Sequence, residues 1–278
     1  HLGTAVPLRK LAQFQKAGHR VIFLIGDFTA LIGDPSGQGK TRPQLSKEKI
    51  QENAETYLNQ VGKILDVEKT EIRRNSEWYE KEGWRDIINL ASKFTVARIL
   101  ERDDFEKRLR AGIEISVHEI LYPIMQAYDS VKLKADLEIG GTDQKFNMLA
   151  GRRLMEKMKM SSQDIVTIKL LVGTDGAKKM SKSLGNYVGI TEEPAEMFGK
   201  IMSIPDEQIM PYFELCTDVN LAEVEKIKNP RDQKARLALE IVKMYHSEVE
   251  AQKAAKEFDR IFKSKEVSSK MPEIKVDQ

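Results

Sequence analysis

Five apolar residues in a row, Val21-Ile22-Phe23-Leu24-Ile25, stop at Gly26-Asp27. A run this short, with no polar face, reads as a strand buried on both sides, as in a parallel sheet covered by helices. Upstream, residues 4–17 carry Val6, Leu8, Leu11 and Phe14 at helical spacing, with Thr4 as N-cap, Pro7 in the first turn and Gly18 as the stop. Downstream, residues 26–43 are rich in Gly, Pro, Asp and Thr and read as a functional loop. The alternation continues. Helices are expected over 46–65, in short pieces over 84–109 around an apolar stretch from Ile87 to Leu100, and over 113–128. Lys134 to Ile139 reads as a strand running into Gly140-Gly141, with a helix over 144–157. Ile165 to Val172 reads as another strand, ahead of a loop from Gly173 to Ser183. Strands alternating with helices, with loops gathered at strand C-termini, predict an α/β fold on an open parallel sheet. From residue 191 helices dominate through Phe262, with caps expected at Thr191, Asp206 and Asn229-Pro230. Residues 263–278 are polar and lysine-rich.

Composition excludes several classes of function. Across 278 residues, 45 Lys and Arg against 43 Asp and Glu leave a formal charge of +2, too little for a global field drawing in nucleic acid. The lone Cys216 excludes a disulfide framework and any multi-cysteine metal site. The four histidines show no zinc-ligand spacing, so no protein-held metal is expected. No apolar run approaches the ~20 residues of a membrane span, which predicts a soluble, cytoplasmic chain with no membrane partner. The chain opens on His1 in an already amphipathic stretch, as though partway through a fold.

Three segments invite a chemical reading. Gly33-Asp34-Pro35-Ser36-Gly37-Gln38-Gly39-Lys40-Thr41 is compared with the phosphate loop G-x-x-x-x-G-K-[ST]. Five residues, not four, separate Gly33 from Gly39, and the carboxylate of Asp34 would oppose the phosphates it should cradle. A plain turn or a different functional loop remains. Gly176 to Ser183 holds three lysines, two serines and no acid. It is either a solvated basic turn or a phosphate clamp whose ammonium groups follow charge building on a leaving pyrophosphate. His1-Leu2-Gly3-Thr4 opens a helix, where free N–H groups and the dipole favour an anion and an imidazole can donate to a phosphate oxygen.

Tyr122, Gln126 and Asp129 fall at i, i+4 and i+7, one stripe of a helix. A structural stripe would be apolar. A phenol, an amide and a carboxylate suit a polar ligand with an ammonium at one end and a hydroxyl at the other; a solvated helix face is the alternative. His118 and Glu119 nearby read as packing or capping residues.

Together the opening and the lysine loop resemble the signature pair of class I aminoacyl-tRNA synthetases. The family's second signature, Lys-Met-Ser-Lys-Ser, is matched fully by Lys179-Met180-Ser181-Lys182-Ser183, and its first, His-x-Gly-His, by His1-Leu2-Gly3-Thr4 with Thr4 at the second histidine. Within the class the chain resembles the bacterial-type tyrosyl family. The likeness lies in Gly26-Asp27-Phe28-Thr29, Ile32-Gly33-Asp34-Pro35-Ser36-Gly37, Tyr122-Pro123-Ile124-Met125-Gln126-Ala127-Tyr128-Asp129 and Gly140-Gly141-Thr142-Asp143-Gln144, and runs nearly continuously from His1 to Phe262.

This resemblance implies a Rossmann-like catalytic domain over 1–190, a helical anticodon-binding domain over 191–262 and a linker over 263–278. It also implies a strand before His1 and a small RNA-binding domain after Gln278. The implied reaction joins tyrosine to ATP, accompanied by Mg²⁺, as tyrosyl-adenylate, then passes tyrosine to its tRNA. A substrate carboxylate with a pKa near ~3.5 is already ionised, so no general base is needed. His1, Lys179 and Lys182 are the implied catalytic residues. ATP falls to His1, Gly3, Thr4, Gly141, Asp143, Met180, Lys182 and Ser183, with Gly141 and Asp143 on the ribose. Tyrosine falls to Asp34, Thr29, Tyr122, Gln126, Asp129 and Gln144, with Asp129 accepting from the phenol. A homodimer is implied, with Phe94, Val96, Ile99, Leu100 and the helix reaching Tyr128 as the expected interface. Two rivals stand: a tryptophanyl-tRNA synthetase, disfavoured by Asp129, and a non-catalytic RNA-binding paralogue, disfavoured by the intact lysine signature.

Overall fold

The computed structural model describes residues 1–34 and 46–263. Lys40 and the rest of the glycine-rich loop after Asp34 lie outside the described residues, as does the polar segment after Lys263. In chain order the elements are α1 (Leu2–Lys16), β1 (Val21–Ile25), α2 (Lys47–Val61), β2 (Thr70–Arg74), α3 (Ser76–Tyr79), α4 (Trp84–Ala91), α5 (Val96–Leu100), α6 (Asp103–Arg110), α7 (Val117–Leu133), β3 (Leu137–Gly141), α8 (Lys145–Lys157) and β4 (Asp164–Ile168). Helices α9 (Pro194–Met202), α10 (Ile209–Cys216), α11 (Leu221–Val224), α12 (Pro230–Tyr245) and α13 (Glu248–Lys263) follow.

Among the described residues the strands form two parallel pairs, β1 with β2 and β3 with β4. Parallel partners cannot be joined by a tight turn, so each pair encloses a helix, α2 in one and α8 in the other. These are βαβ units, and the α/β expectation holds. β2 escaped the sequence reading. Its residues, Thr-Glu-Ile-Arg-Arg, have no apolar run; Ile72 pairs with Phe23 while Glu71 takes ion pairs from Arg20 and Arg73. The strand expected through Val172 ends at Ile168, because Val172 turns into an antiparallel bridge with Lys179.

Packing divides the chain into two compact units: Pro7–Lys169, and His1–Val6 together with the chain from Leu170 onward. The boundary expected at residue 190 thus differs from the packing. Residues 170–190 join the helices that follow because Tyr212 donates to the Val172 carbonyl at 2.7 Å, and His1–Val6 joins them as Leu2 N–H donates to the Val188 carbonyl at 2.9 Å. In the first unit, Val21, Val61 and Leu65 bury against Leu8 and Leu11, while Ala127, Val131, Ala150 and Leu154 seal α7 on α8. That helix contact is close because Gly151 leaves room: a Cβ there would stand 2.5 Å from Ser130 Oγ. In the second unit, Met197, Phe198, Ile201, Tyr212, Phe213, Leu237 and Ile241 form a buried interior. Full burial of such side chains contributes roughly 1.5–3 kcal/mol each against exposure.

Several helix boundaries move. α1 starts at Leu2, not Thr4; the His1 ring accepts from Thr4 N–H at 3.3 Å and so occupies the capping role given to Thr4. Glu193 precedes α9 in place of Thr191, and Pro205 precedes the 3₁₀ turn Asp206–Gln208, whose Asp206 pairs with Lys234 at 2.6 Å. The Asn229-Pro230 cap is as expected, with Asn229 Oδ1 accepting from Arg231 N–H at 2.9 Å. Glu119 is a capping residue as read, closing a capping box with Ser116 and pairing with buried Arg108 at 2.6 Å.

Candidate functional site

The polar stripe expected on one helix is real. Tyr122, Gln126 and Asp129 all lie on α7, whose Pro123 removes one backbone donor from its second turn. Asp129 is buried, and two donors absent from the sequence reading converge on it. Trp78 Nε1 donates to Oδ1 at 3.0 Å and Asn75 Nδ2 donates to Oδ2 at 3.3 Å. Burial nevertheless pushes the carboxyl up to about 7, with the Glu138 charge adding to the rise and hydrogen bonding from Asn75, Trp78 and Tyr79 opposing it. Asn75 is shared: Nδ2 also donates to Thr29 Oγ1 at 2.9 Å, and Oδ1 accepts from Phe28 N–H at 2.9 Å. One buried amide therefore ties the loop after β1 to the carboxylate on α7. Tyr79 beside it donates to the Met125 carbonyl at 2.6 Å, and burial holds its hydroxyl pKa far above the usual phenol value.

At the other end of the stripe, amides and a carboxylate meet. Gln144 Nε2 donates to Asp34 Oδ2 at 2.9 Å. Asn147 Nδ2 donates to Gln126 Oε1 at 2.8 Å and to Gln144 Oε1 at 3.1 Å. Arg102, buried, lies 3.9 Å from Asp34 Oδ1 and donates to Asn147 Oδ1 at 3.4 Å. Gly141 ends β3, and Asp143 and Gln144 belong to the 3₁₀ turn that leads into α8, so these residues sit at a parallel strand's C-terminus. Glu138 on β3 accepts from Ser130 Oγ at 3.1 Å and from Gln163, and the Gln126 amide also hydrogen-bonds to it; burial raises its carboxyl above the usual range. The structure thus joins Thr29 to Asp129 through Asn75, and Gln126 to Gln144 through Asn147, with Asp34 held by Gln144.

The second unit assembles the two signature segments. Gly3 N–H points at Met180 Sδ, 3.3 Å away, and Met180 is buried. With Nδ1 of His1 accepting from the helix backbone, a neutral imidazole keeps its proton on Nε2, the nitrogen that a phosphate oxygen would use. The Thr4 hydroxyl donates to the His1 carbonyl at 2.8 Å and so presents only lone pairs outward. The lysine loop is held from below by Asn186, another buried residue that sequence reasoning missed. Its Oδ1 accepts from Ser181 N–H at 2.8 Å; its Nδ2 donates to Asp175 at 2.9 Å and to the Lys179 carbonyl at 3.2 Å. Ser183 and Ser181 hydroxyls lie 2.9 Å apart, and Lys182 opens a short 3₁₀ turn closed by Gly185. The loop is a built turn in which Lys178 and Lys182 are exposed and Lys179 is half-buried.

No helix among the described residues is long and apolar enough to cross a membrane. A family model described as tRNA synthetases class I (W and Y) matches residues 1–263. The chain is 55% identical to the tyrosine–tRNA ligase of Carboxydothermus hydrogenoformans over 99% of its own length and 69% of the relative's. It is 53% identical to that of Aquifex aeolicus, over 100% of this chain and 72% of the relative. Among solved structures, tyrosyl-tRNA synthetase from Archaeoglobus fulgidus, complexed with L-tyrosine, matches with a TM-score of 0.73 at 24% identity, covering 92% of this chain and 86% of that one. The match over nearly all of the described residues leaves one conclusion: the chain belongs to the class I tRNA synthetases of the tryptophan and tyrosine group.

Proposed function

We propose that the chain is a tyrosine–tRNA ligase and that α7 carries its amino-acid specificity. The observation that carries the reading is the buried Asp129, positioned by Asn75 and Trp78. A buried carboxylate with two fixed donors has lone pairs left for one more, which a phenol O–H supplies and a phenyl ring does not. An indole has no hydroxyl to place there. At the other end, Asp34, Tyr122, Gln126 and Gln144 offer oxygen atoms to an ammonium, which needs acceptors only. Thr29 shapes the pocket through Asn75.

In the reaction so assigned, a carboxylate oxygen of tyrosine attacks the α-phosphorus of ATP. An oxygen–phosphorus bond forms, the α–β bridging bond breaks, and pyrophosphate leaves with its electron pair. Mg²⁺ arrives with ATP as part of the substrate. Negative charge grows on the β-phosphate side, where lysine ammonium groups and an imidazole N–H lower the barrier electrostatically. That role falls to Lys179, Lys182 and His1, with Gly3, Thr4, Met180 and Ser183 shaping the phosphate end and Gly141 and Asp143 taking the ribose. A terminal hydroxyl of the tRNA then attacks the acyl carbon and AMP leaves. The helices over 191–262 carry the lysines and arginines that would meet the tRNA backbone. A cytoplasmic homodimer completes the reading.

ATP–pyrophosphate exchange with single amino acids tests it. Tyrosine should support exchange, with tryptophan and phenylalanine weaker by orders of magnitude. Exchange led by tryptophan would reverse the assignment, and none with any amino acid would favour the non-catalytic paralogue.

A further inference from the structure

Asn147 stands in the first turn of α8 and is 1% exposed. Its amide serves three partners. Oδ1 faces the Arg102 guanidinium at 3.4 Å, and Nδ2 faces Gln126 Oε1 at 2.8 Å and Gln144 Oε1 at 3.1 Å. Arg102 is itself fixed, donating from Nε to Asp104 Oδ1 at 2.8 Å and lying over the Phe105 ring at 5.0 Å. A guanidinium has donors and no acceptor, so Asn147 must turn its oxygen toward Arg102 and its N–H groups toward the glutamines. The glutamines must then answer with oxygen, since two amino groups cannot bond to each other. With its oxygen so placed, Gln144 turns its own Nε2 to Asp34.

We propose that Asn147, keyed by Arg102, is a positioning residue that sets the amide orientation of Gln126 and Gln144. It thereby makes this end of the pocket an acceptor site for the substrate's α-ammonium. The proposal rests on the tyrosine reading above and deepens it. Each glutamine oxygen has a second lone pair directed away from Asn147. Were either amide reversed, a donor would face the cation and repel it. Asn147 therefore governs recognition of the ammonium, while Asp129 governs recognition of the hydroxyl.

The test compares tyrosine with 3-(4-hydroxyphenyl)propanoate, the same molecule without its ammonium, by equilibrium binding to the full chain and to two variants. Asn147→Asp has only acceptors, keeps Arg102 satisfied and demands N–H from both glutamines. Tyrosine should bind it roughly tenfold or more weakly, the loss expected for a misdirected charged hydrogen bond. The propanoate should bind as it does to the parent. Asn147→Leu adds no charge and removes the key, so its loss should be smaller but again confined to tyrosine. KM for ATP in pyrophosphate exchange should stay within about twofold for both. Equal weakening of both ligands would assign Asn147 to packing alone and overturn the proposal, as would unchanged binding of both. If Asn147→Asp does not fold, the same comparison on Asn147→Leu decides. A parent chain that fails to bind tyrosine overturns the tyrosine reading, and this proposal with it.

Discussion

Asp129 shows how one buried group can govern binding and stability in opposite senses. Its carboxyl titrates near 3.8 when unfolded and at about 7 in the fold, because burial penalises the charged form. Between those values the folded chain holds the extra proton. Raising pH through that window therefore removes stability, by up to a few kcal/mol when the shift is converted directly. Chemical unfolding at pH 5 and pH 8 should show that loss in the parent and a flatter profile in Asp129→Asn, which has no proton to give up. Tyrosine binding should run the other way. A phenol O–H bonds best to the ionised carboxylate, so affinity should rise as pH rises through about 7 and level off above it. Asp129→Asn should abolish that rise; a parent profile flat from pH 5.5 to 8.5 would mean that another group reads the hydroxyl. Asp129, Gln126 and Tyr122 were legible because helical spacing alone puts them on one stripe. Asn75, Trp78, Asn147 and Arg102 were not, since nothing in a linear reading separates a buried amide or guanidinium from an exposed one.

At the scale of the element, what was legible depended on how much apolar surface a segment buries. β1 announced itself by five apolar residues; β2 did not, because ion pairs at Glu71 and Arg73 replace apolar contact along much of its length. With β2 went Asn75, which precedes α3, and Trp78 on α3, the two donors to Asp129. The interface expected at Phe94, Val96, Ile99 and Leu100 is mostly core. Phe94 and Leu100 pack inward with buried Ile99, and only Val96 of that set is exposed. The lysine loop was legible as chemistry but not as architecture. Its shape depends on Asn186 and on Gly173, where a Cβ would stand 2.3 Å from Asn186 Nδ2. Gly173→Ala should therefore displace Asn186, release the Ser181 and Lys179 backbone, and raise KM for ATP several-fold while tyrosine affinity stays unchanged. Lys182→Ala should leave the loop in place and slow adenylate formation itself, by about 100-fold for lost transition-state charge stabilisation, when followed by pre-steady-state pyrophosphate release. If both variants changed only stability, the loop would be a basic turn and nothing more.

For the whole molecule, the α/β character and the helical stretch from residue 191 were legible from strand and helix periodicity, but the packing boundary was not. It depends on a tyrosine reaching a carbonyl forty residues away in sequence, a contact no local pattern encodes. Surface apolarity is also a property of the whole. Trp84 is 81% exposed, Val117 77%, Ile88 66% and Val96 64%, all within 34 residues of the Pro7–Lys169 unit. A contiguous exposed apolar patch of this kind marks an interaction surface, where single exposed apolar side chains would not. A second copy of the chain is the occupant that the homodimer reading supplies. Trp84 and Ile88 lie four residues apart on α4 and so point the same way, which makes them the centre of the expected contact. Light scattering behind size exclusion should give about twice the 31.7 kDa chain mass at micromolar concentration. The double variant Trp84→Ser with Ile88→Asp should give the single mass, with circular dichroism unchanged because neither side chain packs in the interior. Tyrosine-dependent pyrophosphate exchange on the variant then separates assembly from chemistry. A parent that runs at single mass at every concentration would sink the interface assignment, leaving α4 an exposed apolar helix with no partner of its own kind.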